Sequence, residues 1–309
     1  MKNELLKWAG ERGYKIAWGP WHTVRDLYDE FSIRRSREEL DGAFDRECLS
    51  FFSAPPQEQA GPPRWIILVA LPRPAHSLTF RRDSKTARLL LPPTYVGYRA
   101  TTRSVLEDLS RSVLGGKPVE PLAAPLKAIA ARLGLVRYGR NNVTYAEEMG
   151  SYLQLVGGVT GEDLSGRAAL PREPALLDAC LNCTACVEAC PTAAIPEDRF
   201  LLRAERCLVY FNERPEPFPP WVPEKAHRCA IGCMACQLVC PANRGLLRVE
   251  RDAAVFSDEE TRRILSPDAT EDDPLVRSAR EKLAALGLTE PGPLLWRNAR
   301  AALARWPAG

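Results

Sequence analysis

No apolar stretch in these 309 residues approaches the ~20 that a membrane-spanning helix needs. The opening Met-Lys-Asn-Glu-Leu-Leu-Lys-Trp has neither the apolar core of a secretory signal nor a twin-arginine element, so a soluble, cytoplasmic protein is expected. Histidine is scarce: His22, His76 and His227 are the only three, and lone histidines are usually structural or exposed. Charge of one sign is also missing. Lys and Arg number 42 against 39 Asp and Glu, a net charge of +3, and no strong basic stripe announces a nucleic-acid partner.

What the chain does have is clustered cysteine. Seven of its ten cysteines lie in two runs. The first is Cys180-Leu-Asn-Cys183-Thr-Ala-Cys186-Val-Glu-Ala-Cys190-Pro191, the C-x2-C-x2-C-x3-C-P spacing of bacterial two-cluster ferredoxins. The second is Cys233-Met-Ala-Cys236-Gln-Leu-Val-Cys240-Pro241, with Cys207 and Cys229 upstream. Three thiolates at two-residue intervals can hold three corners of one iron–sulfur cube from a tight turn, and the fourth cysteine reaches the other cube. Cys180, Cys183, Cys186 and Cys240 are therefore expected on one [4Fe–4S] cluster, and Cys190, Cys233 and Cys236 on a second. Its last position falls to Cys207, with Cys229 as rival. A pair of zinc sites would use C-x2-C motifs but leaves the C-x3-C-P tails unexplained. A disulfide framework suits neither the clustering nor the missing signal.

A chain this long has room for a large core and two or three domains. Helices are expected at 2–12, 31–47, 101–114 and 122–133. The stripes Val105, Leu106, Leu109, Val113 and Leu122, Leu126, Ile129, Leu133 mark the last two. Trp65-Ile-Ile-Leu-Val-Ala-Leu71 reads as a strand buried on both faces, after a loop rich in proline and glutamine at 54–63. A linker rich in Gly, Pro and charge is expected around 161–175. Arg214-Pro-Glu-Pro-Phe-Pro-Pro-Trp-Val-Pro223 carries five prolines in ten residues and reads as a stiff extended loop, either a spacer or a contact loop. Residues 257–306 read as amphipathic helices. The fold class is α+β, with an N-terminal α/β layer at 1–165, a two-cluster ferredoxin-like domain at 170–250 and a short helical appendage at 251–309.

Several segments together resemble the epoxyqueuosine reductase family, whose relatives include the cobalamin-dependent reductive dehalogenases. They are Ala130-Ala-Arg-Leu-Gly134-Leu, Gly139-Arg-Asn-Asn142, Glu148-Met-Gly150-Ser151-Tyr152, Ala204-Glu-Arg-Cys207, the second cysteine run, and Leu294-Leu-Trp-Arg-Asn298. The resemblance favours Cys207 as the eighth ligand. It implies a base-off cobalamin without a histidine ligand, near Gly139, Arg140, Asn141, Asn142, Gly150 and Ser151. The glycines would admit a bulky corrin, and the polar side chains would donate to its amides and phosphate. On the residues alone that stretch is a turn followed by a strand.

The family's proton-donating aspartate is absent, and ungapped counting places Glu120 at its position, with Tyr95 and Tyr98 in reserve. A buried carboxyl there would be raised in pKa and suited to general acid catalysis; a solvated residue at a helix start is the plainer alternative. The function expected is a reductase passing electrons through two clusters to cobalt and on to substrate, with epoxyqueuosine in tRNA the leading candidate. A dicluster ferredoxin-like electron carrier and a dehalogenase-like reductase of a small molecule are the alternatives. Expected partners are a ferredoxin or flavodoxin donor and tRNA, with the protein a monomer and no membrane involved.

Overall fold

Trp65–Pro72 is the strand around which the first part of the chain is built, and its residues alternate between two cores. Ile66, Leu68 and Ala70 face one side with Val24, Leu27 and Ile129, whereas Trp65, Ile67, Val69 and Leu71 face the other with Leu5, Trp8, Leu106 and Leu109. A strand covered on both faces has no use for polar alternation, which is why its sequence is one apolar run.

The computed structural model describes residues 2–53, 64–165, 169, 171–288 and 292–304. The expected loop at 54–63 lies outside the described residues, as do 166–168 and 170 of the expected linker. In chain order the elements are α1 Lys2–Glu11, β1 Lys15–Pro20, α2 His22–Ser36, α3 Gly42–Cys48, β2 Trp65–Pro72, β3 Ala75–Arg82, β4 Lys85–Leu91, α4 Tyr98–Ser112, β5 Glu120–Pro121 and α5 Leu126–Arg132. There follow β6 Arg137–Tyr138, β7 Thr144–Tyr145, β8 Leu153–Thr160, α6 Ala185–Glu188, α7 Leu208–Asn212, α8 Ala235–Leu238, β9 Val249–Phe256, α9 Asp258–Leu265, α10 Pro274–Ala285 and α11 Gly292–Leu303. Among the described residues no helix is long and apolar enough to cross a membrane.

By backbone contact the chain divides into two units, Met1–Pro72 with Arg99–Cys183, and Arg73–Tyr98 with Thr184–Gly309. The first unit holds an antiparallel sheet in the order β1-β2-β8-β5, helices on both faces. The single helix expected at 31–47 is two. α2 ends at Ser36, Glu38 turns with φ 54°, and Asp41 starts α3 by accepting from the amides of Ala43 and Phe44. An Asp-Gly pair offers the backbone this cap in place of helix continuation. The helix expected from 122 starts at Leu126, because the Leu122 amide instead joins the sheet edge through the carbonyl of Gly157.

In the second unit β4, β3 and β9 form a sheet in which β3 runs antiparallel to β4 and parallel to β9. Its inner residues Leu78, Phe80, Leu91 and Phe256 share one core with Ile264, Leu283, Leu295 and Trp296 of α9, α10 and α11. The C-terminal helices therefore cover a sheet to which a hairpin from residues 75–91 supplies two strands.

Candidate metal centre and its surroundings

The second unit brings Cys186, Cys190, Cys207, Cys233 and Cys236 together. Burial pushes the Cys236 thiol up, and the neighbouring sulfurs of Cys233, Cys207, Cys190 and Cys186 push it further in the same direction. Cys233 is raised by burial and by Cys190, against a bond from the Ala235 amide. The Cys190 sulfur accepts from the Ala194 amide at 3.2 Å. Buried thiols that oppose one another's ionisation are a poor stability device but a good cation-binding set, since bound metal takes up the charge they would otherwise repel. Their chemistry fits iron–sulfur ligation. Among the described residues no three His, Cys, Asp or Glu side chains group as ligands of a single ion would; a four-iron cube holds its thiolates at separate corners and does not ask for that closeness.

Cys207 and Cys229 differ in setting. Cys207 sits half-buried at the start of α7 and lies within electrostatic reach of Cys236. Cys229 is 3% exposed, its backbone is bridged to Leu90 of β4, and burial, with the neighbouring Cys233 sulfur, pushes its thiol up to about 12. Cys240 follows α8 and opens the turn Pro241–Asn243.

Gly232, immediately before Cys233, has φ 65°, and a Cβ there would stand 2.7 Å from the Tyr95 hydroxyl oxygen. Only glycine supplies that left-handed step and that clearance. Tyr95 also donates its hydroxyl to Glu213. Its place is thus beside the second cysteine run. Tyr98 is the exposed first residue of α4.

In the first unit the β6–β7 hairpin holds the start of the first cysteine run. The Leu177 amide bonds the Tyr138 carbonyl at 2.8 Å, and Arg137 grips both oxygens of Asp178 at 2.8 and 2.5 Å. Arg140 reaches further: its amide points to the Cys180 sulfur at 3.4 Å, its Nη2 donates to the Cys180 carbonyl at 2.9 Å and its Nε to the Cys183 carbonyl at 3.1 Å.

Those bonds change the reading of the segment expected to face a corrin. Arg140 is engaged by the cysteine run. Asn141 is 4% exposed, donates to the Tyr145 hydroxyl and accepts from the Val143 amide, so it builds the turn. Gly139 leaves its space to Asn141 and Tyr145, each 2.6 Å from where a Cβ would be, so its clearance serves the hairpin itself. Asn142 has φ 59°, its carbonyl accepts from Lys127 at 3.3 Å, and its side-chain amide makes no hydrogen bond within the described structure. Gly150 closes the next turn at φ 59°, bonding the Ala146 carbonyl, and Ser151 is buried behind it. Of the six, Asn142 keeps a partly exposed side chain outside the hydrogen-bond network, whereas Gly150 is buried.

Glu120 lies on the edge strand β5, paired through Val159 with β8. The burial expected for a raised carboxyl is absent: its side chain is 72% exposed and pairs with Arg64 at 3.0 Å. It belongs to the first unit, and Tyr95 and Tyr98 to the second.

Sequence reasoning missed the buried amides that hold the second run. The fully buried Asn298 of α11 donates to the carbonyls of Asn212 and Ala230 at 2.8 and 2.9 Å, and Asn212 donates to Gly232 at 2.6 Å. Polar residues on an otherwise apolar helix face were the only available signal. The proline-rich loop expected after Glu213 is braced by cation–aromatic stacks, Arg206 on Trp221 and Arg297 on Phe218.

Residues 179–243 match the family described as the 4Fe-4S double cluster binding domain. Epoxyqueuosine reductase of Lactococcus garvieae is 38% identical over 120 residues, 38% of this chain and 32% of that protein. The Bacillus subtilis enzyme is 27% identical over 265 residues, covering 79% of this chain and 64% of its own length. The Synechococcus enzyme is 34% identical over 185 residues, 57% of this chain and 52% of the relative. The matched parts thus span from about a third to about two thirds of these relatives.

Among solved structures, epoxyqueuosine reductase from Bacillus subtilis with its catalytic loop swung out of the active site superposes with a TM-score of 0.69 at 23% identity, over 99% of this chain and 81% of that one. An epoxyqueuosine reductase bound to an epoxyqueuosine-modified tRNA-Tyr stem loop superposes with a TM-score of 0.66 at 24% identity, over the same shares. The expected likeness is borne out: the chain is similar to epoxyqueuosine reductases in sequence and shares their fold.

Proposed function

We propose, from this kinship, that the protein is an iron–sulfur reductase that passes electrons through two [4Fe–4S] clusters to a substrate of the epoxyqueuosine kind, carried on tRNA. The observation that carries this reading is the grouping of half-buried Cys190, Cys207, Cys233 and Cys236 around Cys186, in a stretch matching a double-cluster family. Cys180, Cys183, Cys186 and Cys240 hold one cluster, and Cys190, Cys207, Cys233 and Cys236 the other, with the last cysteine of each run crossing over. A small carrier such as a ferredoxin or flavodoxin is the expected electron donor.

Asn142 would help hold a base-off cobalamin, which when bound supplies a low-potential centre for two-electron reduction. An epoxide oxygen that leaves as water takes up two protons with those electrons, so the protein must present an acid. Glu120 is the carboxyl proposed for this. Its exposed place on the β5 edge leaves the carboxyl open to an approaching substrate, with Arg64 as its partner.

The test is composition followed by turnover. Anaerobically reconstituted protein should hold about eight iron and eight sulfide per chain, retain cobalamin through gel filtration, and reduce an epoxyqueuosine-bearing stem loop. Half that iron, or stoichiometric zinc, defeats the two-cluster reading. Full clusters without retained corrin would make the chain an electron carrier.

A further inference from the structure

We infer that Arg140 sets the reduction potential of the cluster held by Cys180 and Cys183, a role that rests on the two-cluster reading. The residue touches the cysteine run three times. Its Nε and Nη2 bond the carbonyl oxygens of Cys183 and Cys180, and its amide points at the Cys180 sulfur. The guanidinium is half-buried and has no carboxylate among its hydrogen-bond partners in the described structure, unlike Arg137, which Asp178 neutralises. Its full positive charge therefore rests against the backbone of two ligand residues.

Reducing the cluster adds an electron to a site already rich in negative sulfur. A cation fixed beside it stabilises the reduced state more than the oxidised one, and poor solvent screening makes the effect larger than at the surface. Carbonyl dipoles aimed from the same turn would act the other way, and here two of them are capped by the guanidinium. The N–H···S contact adds to the effect, since hydrogen bonds to cluster sulfur raise the potential. Gly139 and Asn141 secure the geometry on either side, because the turn they build leaves Arg140 facing the cysteine run. Arg140 is a positioning residue by its fork and a tuning residue by its charge, and the two roles separate experimentally.

The measurement is a potentiometric titration followed by paramagnetic resonance, in Cys207→Ser protein so that only the first cluster contributes. In that background Arg140→Gln should lower the midpoint so that, at the potential where the parent is half reduced, the reduced-to-oxidised ratio falls at least tenfold, a one-electron shift of about 59 mV. Arg140→Lys, which keeps the charge but not the fork, should recover most of it. Arg140→His should make the midpoint pH-dependent across the histidine range, about pH 5.5 to 7.5, where the parent is flat.

A midpoint unmoved in the Gln variant overturns the inference. If that variant fails to load its cluster, the His variant decides, and a pH-independent midpoint there overturns it. Should the Cys207→Ser protein itself show two clusters or none, the ligand assignment has failed and not the role of Arg140, which is then read in the otherwise wild-type chain from the signal that Arg140→Gln displaces; no displaced signal overturns it.

Discussion

Cys207 shares its surroundings with Cys236, whereas Cys229 is bridged into the sheet edge beside Leu90, and this difference can be tested one sulfur at a time. Cys207→Ser should remove or cripple one cluster, leaving roughly half the iron. Cys229→Ser, a buried and nearly isosteric change, should leave both clusters in place. Swapped outcomes in iron analysis would reassign the eighth ligand. Glu120 offers a second residue-scale test. Glu120→Gln should slow turnover by about 10²–10⁴-fold, the usual worth of a general acid, with cluster content and corrin retention unchanged. Glu120→Asp restores the acid of the relatives and should keep activity. A Gln variant as fast as wild type would move attention to Tyr95, whose hydroxyl already pairs with Glu213, or to Tyr98.

At the scale of elements, α11 does more than cover the sheet. Its Asn298 ties the carbonyls of Asn212 and Ala230, and Asn212 ties Gly232, so one helix fixes the entry to the second cysteine run from behind. Asn298→Ala should leave two buried carbonyls without donors, at a cost of about 1–3 kcal/mol each when no water replaces the amide. The expected result is a melting temperature lower by several degrees and faster loss of one cluster in air. Unchanged melting and unchanged cluster lifetime would show that the amide network is dispensable. The hairpin β6–β7 has the corresponding task for the first run, through Arg137 and Arg140.

Across the whole molecule the two buried histidines predict how stability varies with pH. His76 is held below the ordinary histidine value chiefly by burial, which outweighs the opposing pull of Glu250 at 3.0 Å, and its Nδ1 has no partner in the described structure. His227 is lowered by burial and by Arg297, and lies against Phe218 with ring centroids 4.3 Å apart. Because both bind protons more weakly folded than unfolded, the stability they confer is complete above the ordinary value of 6.5 and is lost as pH falls from there through their folded values. Denaturant midpoints of the loaded protein should therefore decline below about pH 6.5, and His76→Gln with His227→Gln should flatten that decline. An equally steep decline in the double variant would assign the acid sensitivity to the clusters or to carboxylates.

The ligand chemistry and the principal strand of the first sheet are legible in the sequence, because each is a local property. Cluster ligation depends on short cysteine spacings, and a strand buried on both faces declares itself as Trp65–Leu71, one apolar run. The helix split at Asp41-Gly42 was equally local and was missed, since an Asp cap competes with helix continuation only once the turn before it is known. The rest depends on contacts between residues far apart in the chain.

The parallel pairing of β3 with β9 joins residues more than 170 positions apart, and no periodicity in either strand names its partner. For the same reason the chain reads as three consecutive domains, although the hairpin 75–91 shares its core with the C-terminal helices. The polar residues of Gly139–Asn142 are visible as a donor-rich turn, but whether a donor is free or already engaged is decided by what folds against it. Arg140 and Asn141 find their acceptors at Cys180, Cys183 and Tyr145, and Glu120 finds solvent and Arg64. Sequence determined which atoms could bind metal or carry a proton; tertiary structure decided which of them were already bonded, because a hydrogen-bond donor has a single direction and folding chooses what lies along it.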